Sequence, residues 1–206
     1  MDNKLKQKNY YTLEECLEEG VVFPTVTIHG RFQPPIHRNH FDTYVKNAFQ
    51  IAEHVKILIT NPRLNETTQL EAAHRNRQEN NPFTYDERVS IFTALFENLR
   101  IDKVRYSFAP FDITDVNSWD SVLDKEIPNL VNTYSPWSYK KLENFQLKGY
   151  PVVRSSLPKV TPVSGTRIRT ILFSSETTEN KKKELVAEGL LAEAVGPLFE
   201  IYKNKI

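Results

Sequence analysis

Cysteine is nearly absent from this sequence. Cys16 is the only one among 206 residues, so no internal disulfide can form, and a reducing compartment is favoured. The sequence has no uninterrupted apolar run of about 18 residues, and its first residues, MDNKLKQKNYYTLEE, lack the apolar segment of a signal peptide. These absences predict a cytoplasmic protein with no membrane partner.

An excess of charge of either sign is also missing. Lys and Arg total 27, and Asp and Glu total 26, which leaves a formal net charge of +1. Such a balance provides no overall field to attract nucleic acid, so nucleic acid is not an expected partner. The chain has no internal repeat and no low-complexity tract. Its 39% hydrophobic content suits one globular domain with small appendages.

Strand patterns alternate with helix patterns along the chain. A helix is predicted over residues 11–19 and another over about 39–52, and a T-x-x-E capping box of Thr84 and Glu87 opens a third. Two more helices are predicted in VSGTRIRTILF and KKKELVAEGLLAEAVGPLFEIYK. Five segments predict buried strands: VVFPTVTIHG, HVKILIT, KVRYSF, LVNTYS and YPVVR. The alternation predicts an α/β fold, a Rossmann-like doubly wound parallel sheet of five strands with helices on both faces and a C-terminal helical segment.

Three of the five histidines lie in one short stretch, HGRFQPPIHRNH, which follows the first predicted strand. Ligands of such sheets bind beyond the carboxyl ends of the strands. Gly30 permits close backbone approach, and His37 and His40 are spaced to share one face at the start of a helix, where anions bind. Two alternatives stay open at this point: ordinary surface histidines, or a zinc site that would lack a nearby cysteine or acidic ligand.

The segment GRFQPPIHRNH resembles the G-R-F-Q-P-x-H-x-G-H signature of the nucleotidyltransferase superfamily, and specifically its archaeal-type nicotinamide mononucleotide (NMN) adenylyltransferases. The resemblance implies that His37 and His40 contact the phosphates of ATP and stabilise the transition state. It also implies that Arg31 faces phosphate. The other nucleotide-binding positions of this segment are Gly30, Phe32 and Asn39.

Two further segments match the family in order. NPFTYDER, residues 81–88, is similar to N-P-F-T-x-x-E-R, whose helix start borders the active site and places Arg88 beside the acceptor. VSGTRIR resembles I-S-x-T-x-I-R, in which the start of a helix holds the triphosphate. Taken alone, VSGTRIR is also typical of any well-capped helix. The positions implied in nucleotide binding are Ser164, Gly165, Thr166 and Arg169, and Arg169 is also a predicted catalytic residue.

A fourth segment bears on the acceptor. FDITDVNSW places Trp119 seven residues after Asp112, as in the family's D-I-x-x-x-x-x-W, whose tryptophan stacks on the nicotinamide ring. Without that context, a tryptophan here is more often a core residue. The resemblance implies acceptor binding by Asp112, Asn117 and Trp119, together with Arg88 and Tyr134.

The chain departs from the family pattern at four places. Asn39 replaces the glycine of the H-x-G-H motif, and Val116 stands where the family has an asparagine. The family's F-S-G-N corresponds to Tyr-Ser-Pro-Trp at residues 134–137, and the loop over residues 61–80 is longer than usual. The phosphate-binding segments are therefore intact, while the acceptor-binding segments differ.

The resemblance implies adenylyl transfer from ATP to NMN, giving NAD and pyrophosphate. Mg²⁺ would be bound through the substrate phosphates, without a dedicated set of protein ligands. Two alternatives are another nucleoside triphosphate or phosphorylated acceptor, and a catalytically inactive module that senses nucleotides.

The sequence also predicts that the chain has three parts. Residues 1–20 form an N-terminal extension with a short helix, residues 21–175 the nucleotidyltransferase domain, and residues 176–206 a C-terminal helix packed on that domain. The sequence leaves the oligomeric state open, a homo-oligomer included.

Overall fold

The computed structural model of the chain describes residues 9–33, 36–60, 80–113, 115–133, 136–156, 163 and 165–203. Its strands are β1 (Tyr10–Thr12), β2 (Phe23–Gly30), β3 (Ala52–Thr60), β4 (Tyr106–Phe111), β5 (Asn129–Asn132) and β6 (Val152–Ser155). Its α-helices are α1 (Leu13–Glu18), α2 (Arg38–His40), α3 (Lys46–Ile51), α4 (Tyr85–Asn98), α5 (Pro136–Leu147), α6 (Gly165–Leu172), α7 (Thr178–Ala187) and α8 (Ala192–Tyr202).

These strands form one parallel sheet in the order β1-β6-β5-β2-β3-β4. The predicted α/β fold is confirmed, but the predicted number of strands is wrong: the described residues contain six, not five. The additional strand is β1, which pairs with β6 through Tyr10 and Val152. The sequence pattern assigned Tyr11 to a helix, because three residues are too few for an alternating pattern to be recognised. The helix begins instead at Leu13, capped by Thr12.

Helices cover both faces of the sheet. Along β3, Ile57 and Ile59 belong to one hydrophobic cluster and Leu58 to another, because successive side chains of a strand point to opposite faces. The first cluster also contains side chains of α1, α3 and α4. The second contains side chains of α5 and of a 3₁₀ turn, Val116–Ser121. This arrangement is the doubly wound architecture that the sequence predicts.

Strands β2 and β5 separate toward their carboxyl ends. Their register holds one residue pair, Thr27 and Asn129. Further along, the hydroxyl of Tyr44 bridges the two strands. It donates to the carbonyl of Leu130 at 2.7 Å and accepts from the N–H of His29 at 3.1 Å. Because the chain leaves β2 toward β3 on one side and returns to β5 on the other, this is the switch point where such sheets bind ligands.

The helix predicted after the first strand is present and irregular. It begins with α2, continues through a π-helical turn, Phe41–Val45, and ends with α3. The π turn follows His40 directly, and the hydroxyl of Thr43 within it donates to the carbonyl of Asn39 in α2. Single π-helical turns occur frequently at functional sites.

The C-terminal segment contains one helix more than predicted. KKKELVAEGLLAEAVGPLFEIYK was expected to be one helix, but it is divided between α7 and α8 by a turn at Gly189, whose φ is +96°. A glycine in a left-handed conformation commonly ends a helix. In this turn the carbonyl of Gly189 accepts the N–H of Arg38 at 2.8 Å, and Leu190 pairs with His37. The turn therefore holds the start of α2.

Gly189→Ala should destabilise the protein more than Gly149→Ala. Both glycines have positive φ, +96° and +77°, which costs another residue about 1–2 kcal/mol. A Cβ at Gly189 would also collide with the side chain of Val163, which adds about 1–3 kcal/mol, whereas a Cβ at Gly149 meets no atom within 4 Å. Urea unfolding of the two variants measures the difference. Equal losses would mean that the Gly189 turn can shift without cost.

No helix in the described part of the chain is both long enough and apolar enough to cross a membrane.

Candidate active site

The loop after β2 has an unusual backbone. Phe32 and Ile36 have φ values of +50° and +43°, although neither is glycine. Such conformations are costly and cluster at functional sites. A Cβ at Gly30 would lie 3.0 Å from the ring of Phe32, so the absence of a side chain at Gly30 lets this ring fold against the loop. The Phe32 ring packs edge-on against Phe92 and His40, with centroids 4.9 and 5.5 Å apart. The ring of Phe32 thus packs against the ring of His40 and supports its position.

The two predicted phosphate-binding histidines lie side by side. His37 is the N-cap residue of α2 and His40 is its last residue. Their rings stack with centroids 3.9 Å apart and planes 21° from parallel. The structure therefore brings them together on one face of the first helical turn, at the carboxyl end of β2.

Arg88, a residue of α4, contacts this loop. Its guanidinium donates to the carbonyls of Arg31 at 2.6 Å and Thr60 at 2.8 Å, and its Nε donates to Thr84 at 3.1 Å. Burial, followed by the charge of Arg31, lowers the pKa of Arg88 to about 10, so it remains charged at pH 7. Arg88 is fully buried and joins the loop, β3 and α4. Its predicted contact with the acceptor stays a prediction.

Arg169 fixes the loop from the side of α6. Its Nη1 donates to the carbonyl of Gln33 at 2.8 Å, and its Nη2 donates to Asn80 Oδ1 at 3.1 Å and Thr166 Oγ1 at 3.2 Å. Burial lowers its pKa from the ordinary arginine value. The structure thus places Arg169 beside the loop that carries His37, and its predicted contact with phosphate stays a prediction.

Gln33 is a residue that the sequence reasoning missed. Its Nε2 donates to the carbonyl of Phe83 at 2.6 Å, and its Oε1 accepts the N–H of Phe83 at 3.2 Å. This reciprocal pair joins the loop to the segment before α4, whose predicted capping box of Thr84 and Glu87 is present. The available signal was that Gln33 and Phe83 both stand within matched motifs.

The charges around the loop favour an anion. Arg31, Arg88 and Arg169 are all within or against it, and the partial positive charge of a helix start adds to theirs. Within the described ranges, no group of three or more His, Cys, Asp or Glu side chains could hold a metal ion. A zinc site of His29, His37 and His40 therefore has no support in the described structure.

The other predicted nucleotide-binding residues have different environments. Asn39 is buried, Gly165 begins α6, and Thr166 is exposed at the first turn of α6. Ser164 and Tyr134 lie outside the described residues.

The predicted acceptor residues that the structure describes differ in their exposure. Trp119 is 1% exposed, and its ring stacks on Phe145 with centroids 4.7 Å apart. Asp112 is half-buried and Asn117 is exposed in the following 3₁₀ turn. In this structure the indole is a core side chain, which is the alternative weighed from the sequence. A ligand ring could stack on it only after one of the rings that pack on it moves, so its acceptor role stays a prediction.

Comparisons with known proteins find relatives by sequence and by fold. No protein-family model matches the chain. The nicotinamide-nucleotide adenylyltransferase of Methanococcus maripaludis strain C5 is 28% identical over 160 residues, which cover 77% of this chain and 84% of that relative. Its counterpart from strain C6 is 27% identical over the same shares of both chains.

The chain resembles the archaeal nicotinamide-nucleotide adenylyltransferases. These relatives confirm the resemblance predicted from the motifs, and they confirm the expectation of an enzyme of the nucleotidyltransferase class.

Solved structures of an NMN adenylyltransferase show the same fold. The bifunctional NMN adenylyltransferase/ADP ribose pyrophosphatase of Francisella tularensis superposes with a TM-score of 0.55 at 17% identity, over 73% of this chain and 42% of that one. A structure of that protein with AMP and a Mn ion also gives a TM-score of 0.55, at 17% identity and over 75% and 43% of the chains. The chain thus spans less than half of the bifunctional protein, and this likeness shows the fold alone.

His29 is the other residue that the sequence reasoning missed, since it was considered only as a zinc ligand. It is 2% exposed, and the rings of Phe145 and Phe111 lie 5.1 and 6.3 Å from it. Burial lowers the pKa of His29 well below its ordinary value, and the charge of Lys141 lowers it further. The imidazole is therefore neutral at pH 7.

This pKa predicts a loss of stability in acid. Below about pH 6.5 the unfolded chain binds a proton at His29 that the folded chain does not, so unfolding is favoured as the pH falls. The contribution of one such group approaches about 1.4 kcal/mol per pH unit. Urea unfolding at pH 7.5 and at pH 5.5 should show a smaller acid loss for His29→Leu than for the unchanged protein. Equal losses would mean that folded His29 still takes up a proton.

Proposed function

We propose that the chain transfers the adenylyl group of ATP to NMN, forming NAD and releasing pyrophosphate. The observation that carries the proposal is the stacked pair of His37 and His40 at the switch point of the sheet. The adenylyltransferase names of the archaeal relatives support NMN as the acceptor.

The reaction needs no covalent enzyme intermediate. A phosphate oxygen of NMN attacks the α-phosphorus of ATP, and the bond from that phosphorus to the oxygen bridging to the β-phosphorus breaks. The displaced electron pair leaves with pyrophosphate. His37 and His40 donate hydrogen bonds to phosphate oxygens, whose negative charge grows in the transition state, while Arg31 and Arg169 hold the phosphates. Positioning and charge stabilisation supply the catalysis.

A divalent cation fits this site as part of the substrate. Among the described residues no cluster of His, Cys, Asp and Glu offers three ligands, which suits Mg²⁺ held by phosphate oxygens and water. When bound, the cation would neutralise part of the triphosphate charge. We infer no protein ligand for it.

Release of pyrophosphate tests the proposal. The purified protein is incubated with ATP and Mg²⁺, with and without NMN, and pyrophosphate and NAD are both measured. We expect both products only when NMN is present. Each of the other nucleoside triphosphates is then supplied in place of ATP, because Asn39 stands where related enzymes have glycine beside the base. A panel of other phosphorylated acceptors replaces NMN in a second series.

The results separate the candidate functions. Turnover with another acceptor but not with NMN would overturn the acceptor and keep nucleotidyl transfer. Tight binding of ATP or NAD, seen by calorimetry without turnover on any acceptor, would identify a nucleotide sensor instead.

A further inference from the structure

His29 is a buried polar side chain at the carboxyl end of β2. Neither Nδ1 nor Nε2 forms a hydrogen bond with any described residue, and both atoms are enclosed. An unpaired buried polar group destabilises a fold, and native structures seldom keep one without a reason. Leucine, which the neighbouring strand has at the paired position Leu58, would fill the same place without that cost.

The position of the ring relates it to the proposed site. His29 is the residue before Gly30 at the carboxyl end of β2, and its backbone N–H is held by Tyr44 at the switch point. Its neighbour Ile28 belongs to the cluster beneath α3, so the side chain of His29 points to the opposite face, toward Phe145 of α5. The imidazole therefore lies beside the crevice, on the face of the sheet away from α3.

An aromatic side chain occupies the position between His29 and Trp119. The ring of Phe145 has its centroid 5.1 Å from that of His29 and 4.7 Å from that of Trp119, on which it stacks. A flat ring at this position would therefore contact both residues at once. A planar ligand that displaced Phe145 would exchange one aromatic stack for another and would reach the unpaired imidazole.

We propose that His29 determines acceptor specificity by donating a hydrogen bond to a carbonyl oxygen on the acceptor's aromatic ring. The chemical class is an aromatic mononucleotide whose ring carries a carboxamide or a carboxylate. This inference rests on the proposed function and extends it to the recognition of the acceptor. The N–H of a neutral imidazole suits either substituent. The bond forms only when the ring of the ligand takes the place of Phe145.

The test combines a change in the residue with a change in the ligand. The acceptors are NMN, nicotinic acid mononucleotide and pyridine mononucleotide, which lacks the substituent. For the unchanged protein, kcat/KM should fall about 5- to 100-fold from the better substituted acceptor to pyridine mononucleotide, the range of one buried hydrogen bond. Whichever of NMN and nicotinic acid mononucleotide is used better identifies the substituent as an amide or an acid.

In His29→Leu the advantage of the substituted acceptors should disappear, while the KM for ATP stays unchanged. His29→Gln keeps a side-chain N–H donor and should recover part of the advantage. Without ligands, His29→Leu should raise the melting temperature at pH 7.5, because it removes an unpaired polar group. A stability gain paired with lost discrimination is a result that a purely structural histidine would not give.

Tyr106→Phe is the matched control. Tyr106 is also buried, and its hydroxyl has no hydrogen-bond partner among the described residues, but it begins β4 at the amino edge of the sheet. Its substitution should leave all acceptor preferences unchanged.

Two failures are distinguishable. If the unchanged protein uses these acceptors and His29→Leu keeps the same preference among them, the role of His29 is overturned and the proposed function stands. If the unchanged protein uses none of the three, the proposed function fails, and the inference about His29 fails with it.

Discussion

His40→Ala should lower kcat/KM for pyrophosphate release by about a hundredfold or more while the fold is retained. A donor directed at charge that develops in the transition state is worth about 3–4 kcal/mol. His40 is half-buried and packs against Phe32 and His37, so its loss removes modest contact area from the loop. Circular dichroism and urea unfolding check the fold, and a coupled pyrophosphate assay measures the rate.

His54→Ala provides the control for a lost imidazole. His54 lies near the amino end of β3, where its ring bonds the carbonyl of Val104 and the hydroxyl of Ser107. It is remote from the carboxyl ends of the strands, and its substitution should leave the rate unchanged. A folded His40→Ala protein with full activity would remove His40 from the catalytic group.

Arg169→Ala should weaken binding of ATP about 10- to 100-fold, and it should weaken binding of ADP much less. A hydrogen bond to a charged group contributes about 1.5–3 kcal/mol. The resemblance implies that Arg169 binds the triphosphate, and we expect it to reach the β/γ end of the phosphate chain. Calorimetry with a non-hydrolysable ATP analogue and with ADP measures the two losses.

Arg167→Ala is the matched control on the same helix. Arg167 is 53% exposed and pairs with Glu184 of α7 and with Glu188, which directly follows α7, away from the loop. Its substitution removes the same charge from α6 and should change neither affinity appreciably. Equal losses for ATP and ADP in Arg169→Ala would show that Arg169 acts through the carbonyl of Gln33, by holding the loop, and not through the terminal phosphates.

The sequence predicted those elements of the fold that short stretches of residues determine. β-branched runs predicted β2 and β3, and the capping box of Thr84 and Glu87 predicted the start of α4, because each pattern is complete within a few residues. Strand β1 was not predicted, because its three residues become a strand only by pairing with β6, far along the chain. The turn at Gly189 was not predicted, because one glycine within a helical pattern does not by itself divide a helix.

The candidate site likewise has features that the sequence predicted and features that it did not. The spacing of His37 and His40 is local, and the structure places their rings together as that spacing requires. The environments of Arg88, Trp119 and His29 depend on groups from distant segments. A motif assigned Arg88 and Trp119 to the acceptor, whereas tertiary packing buries both of them. No pattern in the sequence distinguishes a histidine bonded to a neighbour from one enclosed by aromatic rings.

The contact between His37 and the turn after α7 bears on how the protein is made. His37 pairs with Leu190, and Arg38 bonds Gly189, so the first helical turn of the site is held by residues translated long after it. Contacts between distant parts of a chain form late and slow the folding of a domain. On the ribosome, the early part of the sheet can assemble before Gly189 and Leu190 are available to hold the first helical turn of the site. We therefore expect a nascent chain to gain nucleotide affinity abruptly, once the turn that follows α7 has emerged.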